Sequence, residues 1–146
     1  LNEAWRLCRR PYADLSGGGA RLAGGRWNRR GRAVVYLAEH PALAVLEVRV
    51  HLDVPLELLP TDYVLVRVQL PDEDPATPPD ASDQLEAGDI WLRDAEAATM
   101  RVPSALVPFA YNLLLNPHHP RAAETSVVSL TPFRFDPRLW PDQRGG

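Results

Sequence analysis

Alternation of apolar and polar positions is clearest over residues 61–70 (TDYVLVRVQL). Val64, Val66, Val68 and Leu70 fall on one face, with Tyr63, Arg67 and Gln69 on the other. A period of two over this length predicts a strand buried on one side. Residues 4–9 predict a shorter strand, with Trp5 and Leu7 opposite Arg6 and Cys8. Residues 33–38 (AVVYLA) form a continuous run of strand formers. The period then lengthens. Pro41 suits a first helical turn, and residues 42–51 (ALAVLEVRVH) predict a helix that is apolar almost all round and so buried on several sides. Residues 88–98 predict a short helix carrying Trp91. Residues 99–107 and 110–115 predict strands parted by Pro108, with two last short strands at 126–130 and 133–136. Glycine marks 15–25 as a loop, acid and proline mark 71–82 as another, and NPHHP at 116–120 is a turn. No repeat or linker divides the chain, so residues 1–146 read as one domain. Short strands with few helices in irregular order predict an α+β fold rather than a doubly wound sheet.

Composition narrows the class. With 45% apolar and 24% charged residues, the 146-residue chain matches a folded globular protein and excludes a disordered tail, a collagen repeat or a coiled coil. No apolar run approaches the ~18 residues of a membrane span. The opening LNEAWRLCRR lacks a basic-then-apolar leader pattern, and the single cysteine, Cys8, excludes an internal disulfide framework. A cytoplasmic setting is the expectation. There is no lysine, so all 16 basic residues are arginine. Their distribution is uneven: residues 1–35 carry a net +6 and the remainder −9, for a total of −3. A basic N-terminal segment on an acidic chain predicts a local anion site rather than a nucleic-acid surface. Arginine suits phosphate because its planar fork donates two hydrogen bonds at once.

Familiar site motifs are missing. The run SGGGARLAGG has no GK[ST] after it and no GxGxxG spacing before a helix, which argues against a Walker loop and a dinucleotide-binding βαβ unit. His40, His51, His118 and His119 form no HExxH pattern, and no metal site is expected. Ser104 lies in VPSAL without the flanking glycines of a nucleophile elbow, and Cys8 reads as a small packing residue. More distinctive is Gly24-Gly25-Arg26-Trp27-Asn28-x-x-Gly31. Its glycines let backbone approach a ligand, Arg26 suits a phosphate or ribose oxygen, and Trp27 supplies a flat apolar wall. Tyr36 follows in mid-strand. Glu47 lies in an apolar helix, where a carboxylate is costly unless paired. Either an arginine neutralises it, or it faces a cleft and stabilises developing positive charge. Cleavage between a ribose and a cationic leaving group passes through an oxocarbenium-like state and calls for these residue types.

Trp5 with Arg6, GGRWNRRG at 24–31, VVYLAEHPALAVLEVRVHL at 34–52, VPSALVP at 102–108, Asn112 with LLLNPHHP to 120, and FDPRL at 135–139 stand in order along nearly the whole chain. In this the chain resembles the RES-domain family, named for its Arg, Glu and Ser, the toxins of Xre–RES toxin–antitoxin pairs. The resemblance implies a compact ADP-ribosyltransferase-like fold of short mixed β-sheets with a few flanking helices. It also implies an enzyme whose substrate is NAD+, with inorganic phosphate as an optional co-substrate and no metal. The name-giving residues become Arg26, Glu47 and Ser104, with Tyr36 the tyrosine between the first two. By the same resemblance, Arg6 and Arg26 would hold the pyrophosphate or an attacking phosphate. Tyr36 would stack on nicotinamide, Glu47 would stabilise the ribosyl cation or orient the nucleophile, and Ser104 and Asn112 would position the substrate. Three functions follow: NAD+ phosphorylase or glycohydrolase, mono-ADP-ribosyltransferase toward a cellular protein, and an NAD-binding module without catalysis. The intact trio argues against the last. An acidic residue expected near the strand start before Asn112 is missing, for the chain reads PFAY there. An Xre-type helix-turn-helix antitoxin is the implied partner. It would carry the DNA contact, leaving this chain with neither nucleic acid nor membrane to bind. Homodimerisation through the apolar C-terminal strands stays open.

Overall fold

A computed structural model describes residues 2–141. The strands are β1 (Glu3–Arg9), β2 (Val35–Ala38), β3 (Tyr63–Gln69), β4 (Thr99–Pro103), β5 (Tyr111–Leu115) and β6 (Ser126–Pro132). They form one sheet in the order β4-β5-β2-β1-β3-β6, and every neighbouring pair is antiparallel. The helices among the described residues are α1 (Gly18–Ala23), α2 (Pro41–Arg49) and α3 (Gln84–Asp94). The fold is α+β, as expected, but the short mixed sheets are a single antiparallel one. The reason lies in the connection through α2. β2 and β3 run in the same direction without touching, because β1 lies between them, antiparallel to both. This is a split βαβ unit. Among the described residues, the one parallel contact is an isolated bridge between Ala76 and Met100.

The period of two in β3 holds: Val64, Val66 and Val68 are fully buried. With Ala4, Leu37, Leu113 and Leu115 they build the core on one face, and the loop residues Ala13, Leu15 and Ala122 pack against it. The opposite face carries the two longer helices. α3 sets Ala87 and Trp91 against Trp27, Met100, Val102 and Leu114. α2 sets Leu43 and Ala44 against Ala38, with Trp5 and Leu65 beside them. Expected to be buried on several sides, α2 buries only Leu43 and Ala44, while Leu46 and Val50 are 38% and 45% exposed. Its remaining face borders a cavity, so an apolar circumference does not here mean a buried one.

Other departures have local causes. The expected loop at 15–25 contains α1, which no apolar period announces because none of its residues is buried. Glycine delimits it. Gly17 has φ +70°, and a Cβ there would meet the Val34 nitrogen at 2.9 Å. α3 begins at Gln84 rather than at 88, because the Asp83 carboxylate caps it by accepting from the Glu86 N–H at 2.8 Å. The strand expected to reach 107 stops at Pro103. Residues 133–136 form no strand. Phe135 instead packs edge-on against Tyr63, Phe133 and Trp140. β6 is an edge strand exposed along its whole length. Among the described residues, no helix is long and apolar enough to cross a membrane.

Candidate active site

β1 and β2 pair only at Trp5 and Ala38. Beyond that point β1 stays on β3 as far as Arg9, while β2 stays on β5 back to Val35. The middle of the sheet is therefore split, and a cavity of about 670 Å³ opens at the split. α2 borders it, as does the turn at residues 24–27. This volume falls within the range of about 300–1,000 Å³ typical of small-molecule sites.

The sequence-predicted residues converge here. Arg6, Arg26, Tyr36, Glu47 and Asn112 all line the cavity. Ser104 is not on its wall but stands directly behind it: its hydroxyl donates to Glu47 Oε1 at 3.2 Å. The same oxygen accepts the backbone N–H groups of Leu106 and Val107, at 3.0 and 3.2 Å. With both acceptor positions used, the one hydroxyl proton is directed to Glu47. Ser104 is thus built into a turn and orients the carboxylate. Of the two explanations open for Glu47, the arginine partner is not found: among the described residues it forms no ion pair. It faces the cavity instead.

The turn bearing Arg26 is locked by a buried polar knot. The Tyr36 hydroxyl donates to Asn28 Oδ1 at 2.7 Å and accepts from the Trp27 N–H at 3.0 Å. The Asn28 amide donates to the carbonyls of Ala20 and Arg32, at 2.9 and 2.8 Å. Asn28 is only 1% exposed. A Cβ on Gly25 would stand 2.7 Å from the Tyr36 hydroxyl and 2.8 Å from Asn28 Oδ1, so glycine is required by this close approach. Burial pushes the Tyr36 phenol up, against the hydrogen bond from Trp27 and the charge of Arg26. It stays a neutral donor at neutral pH, with its hydroxyl engaged in the knot and its ring on the cavity wall.

Arg26 is exposed at the cavity rim and, among the described residues, has no carboxylate partner. Arg6 is half-buried and donates one N–H to the Asp14 carbonyl. The Asn112 amide donates to the Leu37 carbonyl at 3.2 Å. Two guanidinium groups against one carboxylate give a wall suited to an anionic ligand with a cationic centre. Cys8 lies outside the cavity wall, and burial, partly offset by Arg6, pushes its thiol up, which disfavours the thiolate. Among the described residues, no group of three His, Cys, Asp or Glu side chains is placed to hold a metal ion. At the start of β5, Glu39 accepts the Tyr111 N–H at 3.0 Å, outside the cavity wall.

The family model of the RES domain matches residues 3–136. The chain belongs to the RES domain family. One relative is "Toxin Res" of Pseudomonas putida, 41% identical over 145 residues that cover 93% of this chain and 98% of that protein. Another is "Prs ADP-ribosylating toxin" of Sphingobium sp., 38% identical over 154 residues, covering 92% of this chain and 94% of that one. A solved toxin–antitoxin complex, MbcT–MbcA of M. tuberculosis, contains the same fold, with a TM-score of 0.69 and 18% identity over 94% of this chain and 86% of that chain. Sequence reasoning about this RES domain missed Asn28 as the keystone of the Arg26 turn, and Trp5 and His51 as cavity walls. The position of Asn28 within GGRWN was the available signal. The placement of Trp5 and His51 depends on which strands separate.

Proposed function

We propose that this RES domain, over residues 1–146, is the NAD+-consuming toxin of a toxin–antitoxin pair, and that it cleaves the nicotinamide–ribose bond by phosphorolysis or hydrolysis. The observation that carries the proposal is the Glu47 carboxylate, without an arginine partner among the described residues, held by Ser104 at a cavity that Arg6 and Arg26 also line. In this reading the arginines hold the pyrophosphate by charge-assisted hydrogen bonds. The Tyr36 ring stacks on nicotinamide, and Asn112 borders the ribose. The glycosidic bond breaks with its electron pair on nicotinamide, which leaves neutral. Glu47 stabilises the resulting ribosyl cation. Water then gives ADP-ribose, and phosphate gives ADP-ribose 1″-phosphate.

The name of the Sphingobium relative favours a second reading, in which a nucleophile on a protein captures the same cation. One pair of experiments separates them. NAD+ is incubated with purified protein, with and without phosphate, and the products are identified by mass spectrometry. Labelled NAD+ is incubated with the protein in a cell lysate. Free ADP-ribose or its phosphate supports degradation, and label on protein with little free product supports transfer. The solved neighbour is a toxin bound to an antitoxin, which supports an antitoxin partner for this chain. We assign that partner to the Xre type and the encounter to the cytoplasm.

A further inference from the structure

The NAD+ reading gives tasks to Arg6, Arg26, Tyr36 and Glu47 and leaves one proton without a destination. When water adds to the ribosyl carbon, its oxygen must shed a proton, whereas phosphate can add through an oxygen that carries none. Arginines only donate. The Tyr36 hydroxyl is held between Asn28 and Trp27, and the Ser104 oxygen is filled by two N–H groups. Glu47 has to stay ionised to stabilise the cation. Among the described residues, His51 is the remaining proton-accepting side chain on the cavity wall, and the reading assigns it nothing.

Its placement suits the task. His51 stands four residues after Glu47, just past the end of α2, and both line the cavity. A tightened turn carries the chain from α2 to it: the His51 N–H donates to the Val48 carbonyl, three residues back, at 3.1 Å. The residue is exposed as well as cavity-lining, so a proton taken up inside can pass to solvent. Its neighbour Arg49 is tied to the carbonyls of Leu52 and Leu139 and points its charge elsewhere. Resting on the NAD+ reading, we propose that His51 is a catalytic base. As the water oxygen bonds to the ribosyl carbon, its proton moves to the imidazole and then to solvent, while nicotinamide has left with the electrons of the broken bond.

The test is the rate of NAD+ hydrolysis in phosphate-free buffer by wild type, H51Q, H51A and E47Q across pH, with melting temperatures measured in parallel. The charged and titratable groups sharing the cavity with His51 are Arg6, Arg26, Tyr36 and Glu47. E47Q identifies any part of the profile that belongs to the carboxylate. The expected result is a fall in kcat of about 10²-fold in H51Q with KM little changed. The acidic limb of the wild-type profile disappears in H51Q, and free imidazole restores part of the H51A rate. The melting temperature stays put, because His51 lends the fold only its backbone N–H. Wild-type kcat and an unchanged acidic limb in H51Q would overturn the assignment while leaving the NAD+ reading intact. A loss of kcat that follows a fall in melting temperature, without imidazole rescue, also overturns it. Consumption by wild type only when phosphate is added overturns this role and leaves the NAD+ reading intact, and no consumption under either condition overturns both.

Discussion

Glu47 and Ser104 are far apart in sequence and meet at one hydrogen bond. Removing the hydroxyl leaves the carboxylate free to rotate and deprives Leu106 and Val107 of their acceptor. Ser104→Ala is therefore expected to slow turnover about tenfold and to cost about 1 kcal/mol in stability, read from kcat and a urea titration. An unchanged kcat would show that the carboxylate needs no anchor. Glu47→Gln should behave differently, with turnover lost and stability kept, because no arginine among the described residues pairs with it. A buried ion-pair partner would instead cost ~3–5 kcal/mol on substitution. At this scale the sequence was readable by residue type. Arg26, Tyr36 and Glu47 stood out as an anion grip, an aromatic face and an unexplained carboxylate. Asn28 did not, because its polar contacts to Ala20, Arg29, Arg32, Tyr36 and Gly25 exist only after the turn has closed.

Elements with a clean apolar period were legible, and those held by a cap or a close approach were not. β3 announces itself, whereas α1 and the start of α3 depend on glycine geometry and on the Asp83 cap. Gly88, in the interior of α3, has a packing reason: a Cβ there would lie 1.7 Å from the Trp27 carbonyl oxygen. Gly88→Ala must push α3 off the Trp27 backbone. Its expected cost is at least about 1–3 kcal/mol, measured by thermal or urea unfolding, and a wild-type midpoint would contradict this packing. The C-terminal turn Pro137–Leu139 carries its own pH dependence. Asp136 caps it, and the bond from Arg138 lowers the carboxyl from 3.8 to about 2. A lowered carboxyl adds stability that is fully present above its ordinary value and is lost as pH falls through the folded one. Unfolding midpoints of wild type should therefore drop between about pH 3.8 and 2 more than those of Asp136→Asn, and identical acid slopes would remove Asp136 from the account.

Across the whole molecule, the decisive feature is a sheet that opens in its middle. Pairing β1 to β3 and β2 to β5, with a single join at Trp5 and Ala38, makes room for a ligand between strands that would otherwise be neighbours. The α+β class was legible from short strands and few helices. The split was not, because strand pairing is a long-range choice that local periodicity does not encode. The chain is acidic overall, yet its basic first segment supplies both cavity arginines, Arg6 and Arg26. Such a wall attracts an anionic substrate locally while the bulk of the surface remains acidic. The most direct test of this account is NAD+ consumption by purified wild type and Glu47→Gln, with and without inorganic phosphate. The account predicts nicotinamide release by wild type, with ADP-ribose or its 1″-phosphate as co-product, and a rate lower by ~10²–10³-fold, about 3–4 kcal/mol, in the correctly folded variant. Equal rates in the two proteins, or intact NAD+ under both conditions, would contradict it.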